Sequence, residues 1–196
     1  MEGLVELDKQ LFVFLNNLGS PTFDGFWMFI TGKWNAIPLY LLLLVLIYRS
    51  LGWKRTLLSL VFIALLITAT DQLANAFKYG FERLRPCHDP DLFDQLRLVK
   101  PSCGGKFGYF SAHASNAFAM AVFFRQLLIG KLGKWINLLL VWALLVGYSR
   151  IYIGVHFPLD VFTGMAIGTS LGLLFAFLFA KAVEKYLPDT LSSTDL

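Results

Sequence analysis

Five apolar stretches, at residues 36–48, 56–77, 112–124, 135–148 and 157–180, take up much of this chain and leave it few folds to choose from. A helix crosses bilayer hydrocarbon with about 20 apolar residues, and satisfies its own backbone groups while doing so. Repeated apolar runs near that length predict helices packed in a membrane. Charge content agrees, because only 15% of the 196 residues are charged against about 25% in soluble domains. The first stretch is short even when Trp34 is added to it, and residues 23–30 form a still shorter apolar run read as a sixth, partly embedded element. The expectation is one domain over residues 1–196: an all-α, polytopic membrane helical bundle of about six transmembrane helices.

The first 20 residues read as a short amphipathic helix lying in the membrane interface. Leu4, Leu7, Leu11, Val13 and Phe14 are apolar, with Glu6, Asp8 and Lys9 between them. An acidic start without a small-residue cleavage site argues against a cleaved leader. The net charge of +4 does not imply nucleic acid, because the basic residues sit at the ends of apolar runs and not along one soluble face.

The connections fall into two groups on opposite faces. One holds the short basic turns around Arg49–Arg55 and Arg125–Lys134 and the tail from Lys181. The other holds the long polar loop, residues 78–110, and the turn from Ser149 to Pro158. Lysine and arginine divide evenly between the faces, but several on the second face have chemical work. The short basic turns are therefore taken as cytoplasmic, and the long loop as periplasmic or exterior. Cys87 and Cys103 both lie in that loop. In an oxidising compartment they either pair as a disulfide or remain two unrelated thiols.

Three stretches are too polar for their surroundings: Lys78–Pro86, Phe110–Ser115 and Ser149–Asp160. All three fall on one face. Lys78, Arg85 and Arg150 offer three cations, and arginine's planar fork suits phosphate oxygens. Ser111 adds a hydroxyl. A helix opening at Ser111, Ala112 and His113 adds free backbone N–H groups, which favour anions. Asp160 follows His156 by four residues, a spacing that brings two side chains together on a helix. A carboxylate there holds one imidazole nitrogen and frees the other for attack on phosphorus. His113 is then available to protonate the leaving oxygen and later to activate water. Arg83 reads as a solvated charge, and His88 receives no role.

These residues resemble the type 2 phosphatidic acid phosphatase superfamily. Its first motif, Lys-x6-Arg-Pro, is matched by Lys78, Arg85 and Pro86. Its third, Ser-Arg-x5-His-x3-Asp, is matched by Ser149, Arg150, His156 and Asp160. Its Pro-Ser-Gly-His core appears as Phe110-Ser111-Ala112-His113, with Ser111 and His113 kept. The resemblance implies a six-helix membrane fold and metal-independent hydrolysis of a lipid phosphate or diphosphate. The nucleophile would be His156, the acid/base His113 and the orienting carboxylate Asp160. Lys78, Arg85, Ser111, Ala112 and Arg150 would surround the phosphate. Family substrates include undecaprenyl diphosphate, phosphatidylglycerol phosphate, phosphatidic acid and lipid A phosphates, and a compact chain of this kind points to a bacterial inner membrane.

Other readings stay open beside it. A phosphotransferase would pass the same phosphoryl group to an alcohol, and a lipid or phosphate transporter would bind without cleaving. A zinc site fails on chemistry: His88, His113 and His156 lack short ligand spacing, and the nearby cations repel a metal. No cofactor is expected, and the partners are the bilayer and its lipid phosphate. Asp71, Asn75 and Lys78 share a helix face, so Asp71 and Asn75 either steady a cation from behind or hydrogen-bond between helices. Gly164, Gly168 and Gly172 recur every four residues, a pattern of close helix packing.

Overall fold

The computed structural model describes residues 2–188; the end of the expected single domain, residues 189–196, lies outside them. Six α-helices account for most of the described chain: α1 (Glu2–Asn17), α2 (Pro21–Thr31), α3 (Ile37–Phe81), α4 (Ala112–Leu132), α5 (Leu138–Tyr152) and α6 (Pro158–Tyr186). Short 3-10 turns lie at Pro86–His88, Pro90–Leu92 and Gly133–Asn137. The all-α membrane bundle expected from the sequence is what forms.

Three helical stretches are long and apolar enough to cross a membrane: Ile37–Phe81, Ala112–Tyr152 and Pro158–Tyr186. Two of them fold back on themselves. Gly52, at φ 79° and ψ 170°, interrupts α3 in a conformation that L side chains rarely adopt. The arms on either side return to the same level: Tyr40 stacks 6.4 Å from Phe124, while Phe62 meets Phe179 at 5.6 Å, next to Phe123. In a straight helix Tyr40 and Phe62 would stand about 33 Å apart. Likewise Gly133–Asn137 turns α4 into α5, and Arg125 Nε clips that turn by donating to Asn137 Oδ1 at 2.8 Å. The result is five apolar arms with α2, at 11 residues, as a short sixth element; six full-length crossing helices are not present among the described residues.

α4 is the central helix, buried along much of its length. α6 approaches it across the glycine row. A Cβ on Gly168 would lie 2.2 Å from the Ser115 carbonyl oxygen, and one on Gly164 2.6 Å from that of Ser111. No larger residue allows these backbones to come so close.

α1 is amphipathic, but with a reversal. Its exposed face carries Leu4, Leu7, Leu11 and Phe14, whereas Asp8, Phe12 and Asn16, one face at i, i+4 and i+8, turn inward. Asn16 Nδ2 donates to the carbonyls of Arg97, Ile151 and Tyr152, and its Oδ1 accepts the Arg97 N–H. One amide thereby caps the end of α5 and pins the long loop. α2 packs on α5 through Trp27, whose ring lies 4.9 Å from Tyr148 and 5.2 Å from Tyr152.

Candidate active site

The three polar stretches converge. A cavity of about 620 Å³ opens between the two arms of α3, α4, α5 and the long loop. Its polar end is walled by Lys33, Lys78, Arg85, Lys100, His113, Arg150 and His156. Its apolar end runs inward past Tyr40, Leu44, Leu60, Ile63, Ile67, Met120, Phe124 and Trp142. Five cations share this wall with one carboxylate, that of Asp71. Among the described residues, no group of His, Cys, Asp and Glu is arranged to hold a metal ion.

Local structure explains where each side chain stands. Lys78 sits in the last turn of α3, inside the helix and not in the loop expected from the sequence. Residues 83–85 are extended and pair with 106–108: Arg85 N–H donates to the Lys106 carbonyl at 3.1 Å, and Gly108 N–H to that of Arg83 at 2.9 Å. Residues i and i+2 of an extended chain point the same way, so Arg83 and Arg85 both turn towards the start of α6. Arg85 is held by two backbone carbonyls, through Nε to Phe107 at 3.2 Å and through Nη1 to Cys103 at 3.3 Å. Cys87 and Cys103 form a disulfide. Of the two readings of this pair, the bridge is the one the structure contains.

Arg150 belongs to α5, which continues through Tyr152 and shortens the expected turn to five residues, 153–157. Its guanidinium is buried; Nη1 donates to Thr31 Oγ1 at the end of α2, and Nε has no hydrogen-bond partner among the described residues. Ser111 caps α4, its Oγ accepting the Ala114 N–H at 3.5 Å. Its side chain is fully buried, and Ala112 and His113, not Ser111, reach the cavity wall.

His156 lies in the turn before α6, and Asp160 one turn into that helix. His156 Nδ1 stands 3.5 Å from Asp160 Oδ2, an electrostatic contact longer than a tight hydrogen bond. The same Oδ2 accepts the Phe157 N–H at 3.0 Å, so the carboxylate also caps the helix. Burial pushes the His156 imidazole well below its ordinary range, and the charges of Arg150, Arg85 and Lys78 push the same way. The ring is therefore neutral at neutral pH, with an unprotonated nitrogen. Lys100 shows the same crowding: burial lowers its pKa, and so do Arg150 and Arg85. Cations that destabilise one another in a half-buried cage are relieved by an anion.

One expectation needs correction. Arg83 is not a solvated charge: Nη1 donates to Asp160 Oδ1 at 2.8 Å and Nη2 to Asp8 Oδ2 at 2.6 Å. Of the two readings of Asp71, the hydrogen bond between helices is present, since Asp71 accepts from Asn116 Nδ2 at 2.8 Å and Asn116 in turn accepts from Thr70, and the same carboxylate lines the cavity with Lys78. Asn75, on the same face of α3 as Asp71 and Lys78, is exposed and absent from the cavity wall. Lys100 and Asp8 were missed. Asp8 had a faint signal, since a polar residue recurs with Asn16 on the Phe12 face. Lys100 had none, because only the fold of the long loop brings it in.

The PAP2 superfamily model matches residues 53–184 of the chain. The lipid A 4'-phosphatase of Bacteroides thetaiotaomicron is 36% identical over 197 residues, covering 97% of this chain and 84% of that one. The lipid A 4'-phosphatase of Porphyromonas gingivalis is 35% identical over 175 residues, covering 88% and 72%. Among solved structures, a transmembrane PAP2-type phosphatidylglycerolphosphate phosphatase from Bacillus subtilis superposes with a TM-score of 0.72 at 23% identity, over 95% of this chain and 90% of that one. That last likeness speaks for the fold.

Proposed function

The chain belongs to the PAP2 superfamily and is a bacterial membrane lipid phosphatase; from that premise we propose that His156 is its nucleophile and that turnover passes through a phosphohistidine. The observation that carries this is the placement of a buried, neutral His156 between Asp160 behind it and the cationic cavity in front.

The phosphate of the lipid enters the cage of Lys78, Arg85, Arg150 and Lys100, with the first N–H groups of α4 at Ala112 and His113 alongside. Ser111 keeps that helix start in place. Asp160 holds the Nδ1 side of His156, and Nε2 attacks phosphorus. The N–P bond forms as the ester P–O bond breaks, and His113 gives the leaving oxygen its proton. His113 then takes a proton from water, which attacks phosphorus and restores the free imidazole. The cations act most where charge develops on the phosphoryl oxygens. The apolar end of the cavity receives the lipid's hydrocarbon.

Both named relatives are lipid A 4'-phosphatases, so a phosphorylated saccharolipid is the first substrate to test. The site faces the periplasm, with the basic turns near Arg49–Arg55 and Arg125–Lys134 on the cytoplasmic side of the inner membrane. The test is phosphate release by the purified chain in detergent, with chelator present. The panel is lipid A, phosphatidic acid, phosphatidylglycerol phosphate and undecaprenyl diphosphate. His156→Ala and His113→Ala each abolish release, and an acid-labile phosphoenzyme is trapped on rapid quenching of the wild type but not of His156→Ala. Full activity in His156→Ala overturns the mechanism, and a phosphorylated alcohol as the main product makes the enzyme a transferase.

A further inference from the structure

Behind His156 stands a chain of charges that begins outside the segment matched by the family model, in α1. Asp8 is buried, and both its oxygens are engaged: Oδ2 accepts from Arg83 Nη2 at 2.6 Å and Oδ1 accepts the Leu159 N–H at 2.8 Å. Arg83 carries the connection onward through Nη1 to Asp160 Oδ1 at 2.8 Å. Its guanidinium carbon also lies 4.4 Å from the centre of the Phe157 ring. Asp160 is fully buried, with Oδ1 given to Arg83 and Oδ2 shared between the Phe157 N–H and the His156 ring. We propose that Arg83 and Asp8 are positioning residues of the phosphoryl-transfer reaction: Asp8 locks Arg83, and Arg83 fixes the Asp160 carboxylate so that Oδ2 faces His156.

Two physical arguments support this, and both rest on the reading of His156 as nucleophile. The first is geometric. A carboxylate rotates readily about its last bond, and Asp160 is held only because each oxygen has its own donor. Arginine's fork can satisfy two carboxylates at once, and Asp8 is the second one. Asp8 is further tied to the peptide of Leu159, adjacent to Asp160, so α1 grips both the arginine and the backbone beside its target. Burial raises the Asp8 carboxyl above its usual range, while the Arg83 hydrogen bond and the Leu159 N–H oppose that rise.

The second is electrostatic. Two carboxylates and one guanidinium sum to a single negative charge behind the imidazole. As the N–P bond forms, the ring gains positive charge in the face of Arg85, Arg150 and Lys78. Net negative charge behind the ring offsets that repulsion. Without Asp8 the group is neutral, and the ring must take up its charge against cations alone.

The experiment uses the full chain in detergent, with dioleoyl phosphatidic acid as the probe. It compares wild type, Asp8→Asn, Arg83→Gln, Arg83→Lys, the double variant and His156→Ala. Asp8→Asn keeps shape and removes the charge. Its kcat is expected to fall about 10-fold or more, on the scale of groups that orient a ligating or catalytic side chain, with KM within about twofold of wild type. Arg83→Gln falls further, and Arg83→Lys recovers part of the loss because it keeps one charge but cannot bridge two carboxylates. It also supplies the reading if Arg83→Gln does not fold. The double variant is expected to lose less than the product of the two single losses, because Asp8 acts mainly through Arg83. A kcat for Asp8→Asn equal to wild type overturns the proposal, as do losses that multiply in the double variant. Turnover persisting in His156→Ala sinks the nucleophile assignment itself, a different failure that the same plate distinguishes.

Discussion

Arg85 donates from Nη1 to the carbonyl oxygen of Cys103 at 3.3 Å, so the residue two places before one half of the disulfide is held by the backbone of the other half. The bridge thus sets the shape of the anion cage as well as closing its loop. Closing a loop of this size contributes about 3 kcal/mol in the chain-entropy account. Cys87→Ser, Cys103→Ser, or reduction with a phosphine is expected to lower the thermal midpoint. Each should also weaken inhibition by inorganic phosphate, because Arg85 and Lys100 lose their fixed spacing. Thermal melts and inhibition constants in oxidised and reduced protein check both.

Lys100 lines the cavity beside Arg85 and Arg150. A hydrogen bond to a charged group contributes about 1.5–3 kcal/mol. Lys100→Ala is therefore expected to reduce kcat/KM by about 10-fold or more, with the thermal midpoint unchanged or raised as cation crowding is relieved. Steady-state kinetics with a melt on the same sample separates this from a folding defect.

The close approach of α4 and α6 makes a sharp contrast between two glycines. A Cβ on Gly168 would fall on the Ser115 carbonyl, whereas one on Gly80 meets nothing within 4 Å. Gly168→Ala is expected to destabilise by about 1–3 kcal/mol and to cut activity, because α4 carries His113 and α6 carries Asp160. Gly80→Ala is expected to be neutral or to stabilise by up to about 1 kcal/mol. Paired thermal melts in one detergent decide it.

His156 gives the folded state a dependence on pH. Burial and the surrounding cations hold its pKa below the unfolded value, which is about 6.5. Above that pH neither state is protonated there and the group contributes in full. As pH falls below it, the unfolded chain takes a proton that the folded chain refuses, and stability declines. The thermal midpoint of the unliganded protein should drop on going from pH 7.5 to 5, by less in His156→Gln than in wild type. A parallel decline in both proteins would assign the effect to other groups.

Ile63 lines the apolar end of the cavity with Tyr40 and Phe124. Ile63→Trp should fill it. The expected result is a large loss of kcat/KM for dioleoyl phosphatidic acid and little change for the dihexanoyl form, measured side by side in mixed micelles.

Local chemistry was legible in the sequence. Apolar run length dictated a membrane bundle, because hydrocarbon rewards only helices that satisfy themselves. The spacing of His156 and Asp160 placed them one helical turn apart, and the glycine row marked the face on which α6 meets α4. Those signals are periodic, and a helix converts period into direction. Arg83 and Lys100 obey no such rule, and for Asp8 the period gives its face on α1 but not its partner. Arg83 is 75 residues from Asp8 and 77 from Asp160, and its position reads equally well as a solvated charge until α1 is laid across the start of α6. The fold of the long loop that brings Lys100 to the cavity likewise belongs to tertiary structure. Pairing of charges in a low-dielectric interior depends on distance in space, and distance in space between remote residues is what one strand of sequence does not encode locally.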